Sequence, residues 1–380
     1  MIETCDRETF LPIRISNKDL GNFIFKNKPQ IFDRYTELLE DVFLLRNPKF
    51  RFDKNYQSDL NDFLETHKQD QTMDDCGKWF YFPWSNELVH FLEEPLHLEM
   101  RTGRNKNLIL KEEQEKYYNS SVAIAGLSVG SHIASVLTMT GGPKNLHLAD
   151  LDTISGSNLN RIRTKTSAVG SNKAILVARQ IYEVNPYAQI TIYPKGITEG
   201  NLQKFIQNTD LIIEEMDQPY FKLKIREAAK ASKIPLIMGT DNGDNIFVDI
   251  ERYDTNPDLS IFNGLAGDIT SDKLKSLSPK ELPRTAARLA GAELATTRMQ
   301  ESVLEVGKTL YSWPQLGTAA NLCGSVVAYI VRKILLKTSN IQSGRYEINL
   351  DSILENDYTA PENINYRKTK TDKFLKRIGL

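Results

Sequence analysis

The sequence predicts an α/β fold in which a mostly parallel sheet carries helices on both faces. From residue 120 onward, short apolar runs alternate with stretches of helical spacing. The run "SVAIAGL" at 121–127 predicts a buried strand, and "SHIASVLTMTG" at 131–141 predicts the helix after it. Repeated strand–helix–strand units indicate a parallel sheet, because parallel strands need a crossover connection.

The next elements follow the same pattern in order. Helices are predicted by "NKAILVARQIYEV" at 172–184, which stops before Pro186, and by "YFKLKIREAAKAS" at 220–232. Further strands are predicted at 145–150, 189–194, 210–215, 235–239 and 245–254. Residues 279–338 are expected to be mostly helical, and "SGRYEINL" at 343–350 is expected to form a late edge strand.

The chain divides into three parts by residue composition and pattern. Residues 1–100 are rich in aromatic and charged side chains and are expected to form a mixed accessory segment, with helices at 31–45 and 86–94. This segment could recognise a substrate or simply extend a dimer. Residues 101–350 form the main domain, and residues 351–380 a basic tail that is expected to be solvated or frayed.

Composition excludes several classes of protein. The 380 residues carry a net charge of −1, which gives no general attraction to nucleic acid or to anionic membrane. The three cysteines, Cys5, Cys76 and Cys323, form no C-x-x-C pair, so no zinc site is expected. No signal-peptide core is present, and the apolar run at 321–336 is interrupted by Arg332 and Lys333. A cytoplasmic protein without a membrane span is predicted.

Polar residues collect where the predicted strands end, which is where open parallel sheets bind ligands. "GLSVGS" places Gly126 and Gly130 at the start of a helix, where free N–H groups favour phosphate, although such turns are often only tight packing. Asp150 and Asp152 follow the second strand. Asp150 lies 20 residues beyond Gly130, the spacing of a ribose-binding acid, but the pair could also be a cap.

More charged and amide side chains follow at later strand ends and helix starts. Asn158 and Arg161 lie in "SNLNR", Lys173 opens a helix, and Asp217 comes just after the fourth strand. Two cations suit a triphosphate, and one carboxylate with phosphate oxygens suits Mg²⁺. The set therefore favours ATP chemistry over hydride transfer.

The ordered motifs resemble those of the ThiF/MoeB/HesA adenylyltransferases, the bacterial relatives of ubiquitin-activating enzymes. The matching stretches are "GLSVGS", "DLDTISGSNLNR", "GSNK" and "EEMDQ". The resemblance covers residues 100–255 well and continues loosely to 336, and it implies a Rossmann-like sheet. "RTGRN" matches the family's arginine before the first strand, which implies a homodimer in which Arg104 reaches the partner's ATP site.

The resemblance implies that a carboxylate attacks the α-phosphorus of Mg-ATP, giving an acyl-adenylate and pyrophosphate. Asp152 would bind ribose with support from Asp150. The phosphates would be held by Asn158, Arg161, Lys173 and the partner's Arg104, and Asp217 would bind Mg²⁺. The acceptor would be the C-terminus of a small ubiquitin-like or sulfur-carrier protein, or a peptide.

The sequence departs from the family pattern in several places. The Gly-rich turn is thin, and Val129, being β-branched, resists unusual backbone angles there. Lys222 and Arg226 compete for the role of an arginine that usually follows the last acid. No cysteine lies in 250–312, and Cys323 is expected to be a buried apolar residue, so the chemistry is expected to stop at the adenylate.

Three other functions remain open from the sequence. A NAD- or FAD-dependent oxidoreductase would use a similar turn, but Arg161, Lys173 and Asp217 count against it. A non-catalytic partner subunit is a second alternative, opposed by the same residues. Adenylation of a carboxylate on modified transfer RNA is the third, and the lack of a basic, aromatic-rich patch counts against it.

Overall fold

A computed structural model describes residues 9–279 and 281–380 of the chain. Its strands are β1 Ile13–Ile15, β2 Gln30–Phe32, β3 Lys78–Phe82, β4 Glu87–Phe91, β5 Ser121–Ala125, β6 Asn145–Ala149, β7 Gln189–Tyr193, β8 Leu211–Glu214, β9 Leu236–Asn242, β10 Asn245–Glu251 and β11 Gly344–Ile348. Its α-helices are α1 Asn17–Asn27, α2 Tyr35–Arg46, α3 Gln57–Lys68, α4 Glu94–Thr102, α5 Lys111–Asn119, α6 Val129–Met139, α7 Lys173–Val184, α8 Leu202–Ile206, α9 Pro219–Ala231, α10 Ser271–Lys275, α11 Glu281–Leu289, α12 Thr297–Val303, α13 Gly317–Leu336, α14 Leu350–Leu354 and α15 Pro361–Ile378.

The main sheet has seven strands in the order β11-β10-β9-β8-β5-β6-β7. The strands β9, β8, β5, β6 and β7 are parallel to their neighbours, whereas β10 and β11 pair antiparallel at one edge. Chain order reverses direction at β5, because β6 and β7 lie on one side of it and β8 and β9 on the other. The predicted mostly parallel sheet and the late edge strand are confirmed.

Helices cover both faces of this sheet, as predicted. On one face, α6, α7 and α13 pack against alternate strand residues such as Val122, Ile124 and Leu148. On the other face, α8 and α9 pack against the intervening residues, among them Ala123 and Ile212. The period of two along each strand therefore decides which helix each side chain meets.

In the described part of the chain, one helix, α13, is long and apolar enough, by length and composition, to cross a membrane. It has 20 residues, more than the interrupted run was expected to give. Most of its apolar stretch is buried in the fold, and its main neighbours are α6 and the strands β9 and β10. Cys323 on this helix is fully buried, which confirms its predicted packing role.

The N-terminal module, residues 9–102, has its own four-stranded sheet in the order β1-β3-β4-β2. The helix predicted at 86–94 is wrong, because Glu87–Phe91 is strand β4 and pairs with β3. The module packs on the main domain where α7 ends: the Val184 carbonyl accepts from His97 Nε2 at 2.9 Å, and Glu183 Oε1 accepts from Trp84 Nε1 at 2.6 Å.

The basic C-terminal tail is helical, not frayed. Helix α15 runs from Pro361 to Ile378, with a proline in its first turn and Gly379 in the left-handed conformation at its end. Phe374 is buried, and Gln300 on α12 donates a 2.8 Å hydrogen bond to Thr371. The segment therefore packs against α12 in the crossover region, residues 252–316 between β10 and α13.

Candidate nucleotide-binding site

The turn after β5 is shaped by two glycines. Gly126 has a φ of +91°, and a Cβ there would lie 2.3 Å from the Glu215 carbonyl oxygen, so only glycine fits. A Cβ at Gly130 would meet the Ile124 side chain at 2.9 Å, so this residue lets α6 approach β5 closely. Val129 is an ordinary helical residue, and the expected conflict with unusual angles does not arise. The amino end of α6 is thus aimed at the carboxyl edge of the sheet.

Asp150 joins this turn to the end of β6. Its two carboxylate oxygens accept from the Leu127 N–H at 2.6 Å and from the Asp152 N–H at 2.8 Å. The side chain is buried, and this burial raises the pKa of Asp150, although Lys173 acts to lower it. The carboxylate therefore fixes the backbone around the turn, and Asp152 beside it remains more than half exposed.

Lys173 lies against the same acids at the start of α7. Its Nζ donates to Asp152 Oδ2 at 2.9 Å and lies 4.0 Å from Asp150 Oδ2. Asn172 caps the helix through its side-chain oxygen and donates to the carbonyl of Asp150. The predicted phosphate cation is thus paired with the predicted ribose acid.

Arg161 lies at the open end of the Gly-rich turn. Its Nε donates to Ser128 Oγ at 3.3 Å, and its Nη1 donates to the Asn160 side chain at 2.9 Å. Burial lowers the pKa of Arg161, while the charges of Asp241 and Asp217 act to raise it. His132 Nε2 donates to the Arg161 carbonyl, so this histidine holds the backbone of the arginine.

Asn158 has a local structural role in the turn before Arg161. Its side-chain oxygen accepts from the Ser155 N–H at 3.0 Å, and it is 9% exposed. The same residue thus shapes the polypeptide that carries Arg161, a role that the sequence analysis did not assign.

Asp217 is exposed in the loop between β8 and α9. The loop is anchored by Glu214, whose carboxylate accepts from the Met216 N–H at 2.7 Å. Both candidate cations bind Glu214: Lys222 at 3.1 Å and Arg226 at 2.5 Å. Burial alone would raise the pKa of Glu214, but the two cations outweigh it and lower the pKa.

Arg104 does not join this cluster. It is exposed in a turn whose next residue, Asn105, donates to the carbonyl of Thr140, just past the end of α6. The 11 residues of α6 span about 16 Å. Arg104 therefore lies at the opposite edge of its own sheet from Gly126, Asp150 and Arg161.

Sequence reasoning missed two acids at the same edge. Glu215 follows β8 and accepts from the Gly239 N–H at 2.8 Å, and Asp241 lies near the end of β9. Burial raises the pKa of Asp241 to about 6 and that of Glu215 well above its usual range. The strand-end rule that singled out Asp150 would have found Asp241 in "GTDNG".

Cys76 lies away from this edge, and Cys323 lies beside it as a buried thiol. Burial raises the pKa of the Cys323 thiol well above its usual value, and Cys76 is buried in the N-terminal module. Cys5 lies outside the described residues. The sequence has no cysteine in 250–312. That the chemistry stops at the adenylate stays a prediction.

The sequence pattern of the ThiF family matches residues 102–371, which is most of the chain. The chain belongs to the ThiF family. The resemblance stated from the motifs is therefore confirmed, together with the Rossmann-like fold.

Three relatives illustrate this family membership. An uncharacterized Mycobacterium tuberculosis protein, MT1398, is 35% identical over 74% of this chain and 39% of its own length. The tRNA threonylcarbamoyladenosine dehydratase of Bacillus subtilis is 32% identical over 37% of this chain and 57% of its own. The molybdopterin-synthase adenylyltransferase of Escherichia coli is 30% identical over 36% and 56%. The chain thus spans less than two thirds of each of these relatives.

Proposed function

We propose that this ThiF-family chain transfers AMP from ATP to a carboxylate, releasing pyrophosphate. The observation that carries the proposal is the clustering of Asp150, Asp152, Lys173 and Arg161 around the amino end of α6. The acids offer acceptors for ribose hydroxyls, and the cations offset phosphate charge. In this role Lys173 leaves Asp152 and turns to the phosphates when nucleotide binds.

Mg²⁺ fits this site as a partner of the nucleotide. Among residues 9–279 and 281–380, no group of three or more His, Cys, Asp or Glu side chains is arranged to hold a metal ion. Asp217 offers one exposed carboxylate near Arg161, and Mg²⁺ typically uses one or two carboxylates plus phosphate oxygens. Bound Mg²⁺ would neutralise charge that develops on the phosphates.

The acceptor that we favour is the C-terminus of a small carrier protein or a peptide. Its carboxylate is already nucleophilic at neutral pH. The site therefore needs to position the reactants and neutralise the phosphate charge, and it needs no general base. The Escherichia coli relative is named as an adenylyltransferase of molybdopterin synthase, and the Bacillus subtilis relative as a tRNA-modifying enzyme. A pyrophosphate-release screen with Gly-Gly-ending carrier proteins, peptides and tRNA separates these classes of acceptor. Because we propose a cytoplasmic protein, the screen is run at neutral pH under reducing conditions.

The first test is ligand-dependent stability. Mg-ATP at 100 times its dissociation constant should raise the free energy of unfolding by about 2.7 kcal/mol. The gain should fall with EDTA and in Asp217→Ala, and should persist in Asp372→Ala, a control on exposed α15. Thermal unfolding measures it. Stabilisation by NAD or FAD alone would instead support the oxidoreductase alternative, and no shift with any ligand would support the non-catalytic partner.

We further propose a homodimer in which Arg104 of one subunit completes the site of the other. Its place at the far end of α6 means that it cannot reach its own subunit's site without refolding. The N-terminal module lies at that same edge, where His97 donates to the Val184 carbonyl, and within the module α2 is tied to α4 by the Arg46–Glu99 ion pair, with Nη2–Oε2 at 2.7 Å. We therefore propose that the N-terminal module recognises substrate beside the partner's site.

Mixed dimers test this arrangement. Arg104→Ala and Asp217→Ala should each abolish acceptor-dependent pyrophosphate release as homodimers, since every site then lacks one residue. Co-expression of the two variants should restore activity, because one site of each mixed dimer is complete. Lys106→Ala, an exposed cation two residues away, serves as the control for Arg104. Inactive mixed dimers would show that Arg104 acts within its own subunit, and an active Arg104→Ala homodimer would show that it has no role in the site.

Deleting the N-terminal module is a poor test of its role. Phe80, Phe82 and Phe91 belong to the same apolar core as β5 and α6. A deletion would expose that core and lose activity for reasons of stability alone.

A further inference from the structure

Asp241 is a carboxylate that the nucleotide-binding roles above do not use. Its Oδ1 is buried and has no hydrogen-bond partner among the described residues. Its Oδ2 accepts only a long bond, 3.4 Å, from Gln315 Nε2. The neighbouring Asn242 is tied to the crossover region, donating to the Leu294 carbonyl and accepting from the Thr296 N–H, both at 2.8 Å. The carboxylate is thus fixed in place but poorly satisfied.

The nearby cation is Arg161, linked to Asp241 by hydrogen bonds: Arg161 Nη1 donates to Asn160, Asn160 donates to the Gln315 carbonyl, and Gln315 Nε2 donates to Asp241. The guanidinium donates to Ser128 and Asn160, and it forms no ion pair with any carboxylate in the described part of the chain. Even so, among the neighbouring charges that raise the pKa of Arg161, the charge of Asp241 has the largest effect. A half-buried guanidinium is attracted to a nearby carboxylate even without direct contact. Because the two groups are not bonded, the guanidinium can turn towards another anion.

We infer that Asp241 is a positioning residue for Arg161, which it attracts before nucleotide binds and releases to the triphosphate while itself taking up a proton. The inference rests on the proposed function in one respect, that this site binds Mg-ATP. Triphosphate brings negative charge towards Asp241 and draws Arg161 away from it. Both changes favour the protonated carboxyl, and the proton comes from solvent buffer.

The charged and titratable groups around Asp241 come from three elements. Arg161 faces it from the segment after β6, Glu215 from the end of β8, and Cys323 from α13. Burial raises the pKa of Asp241 to about 6, and Arg161 and Gln315 act against this rise. The charge of Asp217 also acts on Arg161 and is therefore part of the same balance.

The sign of the pH effect follows from proton uptake. A group whose pKa rises on binding makes binding tighter at low pH. If the pKa rises by about one unit, the affinity for Mg-ATP at pH 5.5 should be about sixfold that at pH 7.5, with uptake of about half a proton near pH 6.5. Asp241→Asn should remove most of both effects.

The experiment is titration calorimetry of the full chain with the non-hydrolysable Mg-AMPCPP. At pH 6.5, buffers with different ionisation enthalpies report the protons taken up. Asp244→Asn is the matched control, because it removes a carboxylate three residues away, at an exposed position in the β9–β10 turn where Asp244 accepts from Thr318. Protonation of the nucleotide itself contributes equally to all three proteins.

The outcomes separate the two proposals. Proton uptake that is lost in Asp241→Asn and kept in Asp244→Asn supports the inference. Equal uptake in all three proteins overturns it while leaving the nucleotide site intact, and absence of nucleotide binding at every pH overturns the proposed function. If Asp241→Asn fails to fold, the pH profile of the unmodified chain decides: affinity that does not fall from pH 5.5 to 7.5 refutes the inference.

Discussion

Arg226→Met is expected to lower the free energy of unfolding by about 3–5 kcal/mol, because it leaves buried carboxylates without their cation. Arg226 is fully buried, with Nε 2.7 Å from Glu251 and Nη1 2.5 Å from Glu214. Its guanidinium also lies over the Phe262 ring at 3.6 Å. Burial acts to lower the pKa of Arg226, but the two carboxylates raise it above its usual value, so the arginine is charged.

Urea denaturation of the unmodified chain and of Arg226→Met measures this loss of unfolding free energy. The control is Arg46→Met, which breaks another Arg–Glu pair whose side chains are about 40–45% exposed. That variant should lose less than about 1 kcal/mol, since exposed ion pairs contribute little. Equal losses in the two variants would show that the Arg226 network is not the anchor of the β8 end.

Arg161→Ala is expected to lower kcat for acceptor-dependent pyrophosphate release by about 10²–10³, because the transition state loses a cation aimed at developing charge. The measurement is made at saturating Mg-ATP with an acceptor identified in the screen. Arg163→Ala is the control: it removes a cation two residues away whose Nη2 donates to Asn321 on α13 at 2.6 Å. A rise in KM for ATP with unchanged kcat would mean that Arg161 contributes only to nucleotide binding.

The main sheet was predictable because its strands obey local rules. Apolar runs such as 121–125 and 211–214 end in glycine or acids, and the helices between them have a clear 3.6-residue period. The N-terminal module was not, because its signals conflict. "NELVHF" alternates weakly and contains a histidine, yet it is a strand because β3 and β2 pair with it on both sides. Tertiary pairing overrode local propensity there.

The candidate site was predictable as a set of residues but not as a set of contacts. Strand ends located Asp150, Arg161, Lys173 and Asp217. The sequence could not show that Lys173 pairs with Asp152, since that contact depends on the distance between the loop after β6 and the start of α7. Nor could it show that Arg104 lies at the far end of α6. That placement depends on how the N-terminal module packs.

The position of α13 has a consequence for how the chain is made. This helix covers α6 and the strand β9, yet it is synthesised long after both, and β11 completes the edge of β10 later still. Until then, apolar sheet surface and an unpaired strand edge are exposed. Contacts between such distant segments form slowly. Chaperone dependence and aggregation of truncated chains during expression are therefore expected for this fold, and ribosome-bound fragments ending before 317 should be sensitive to protease.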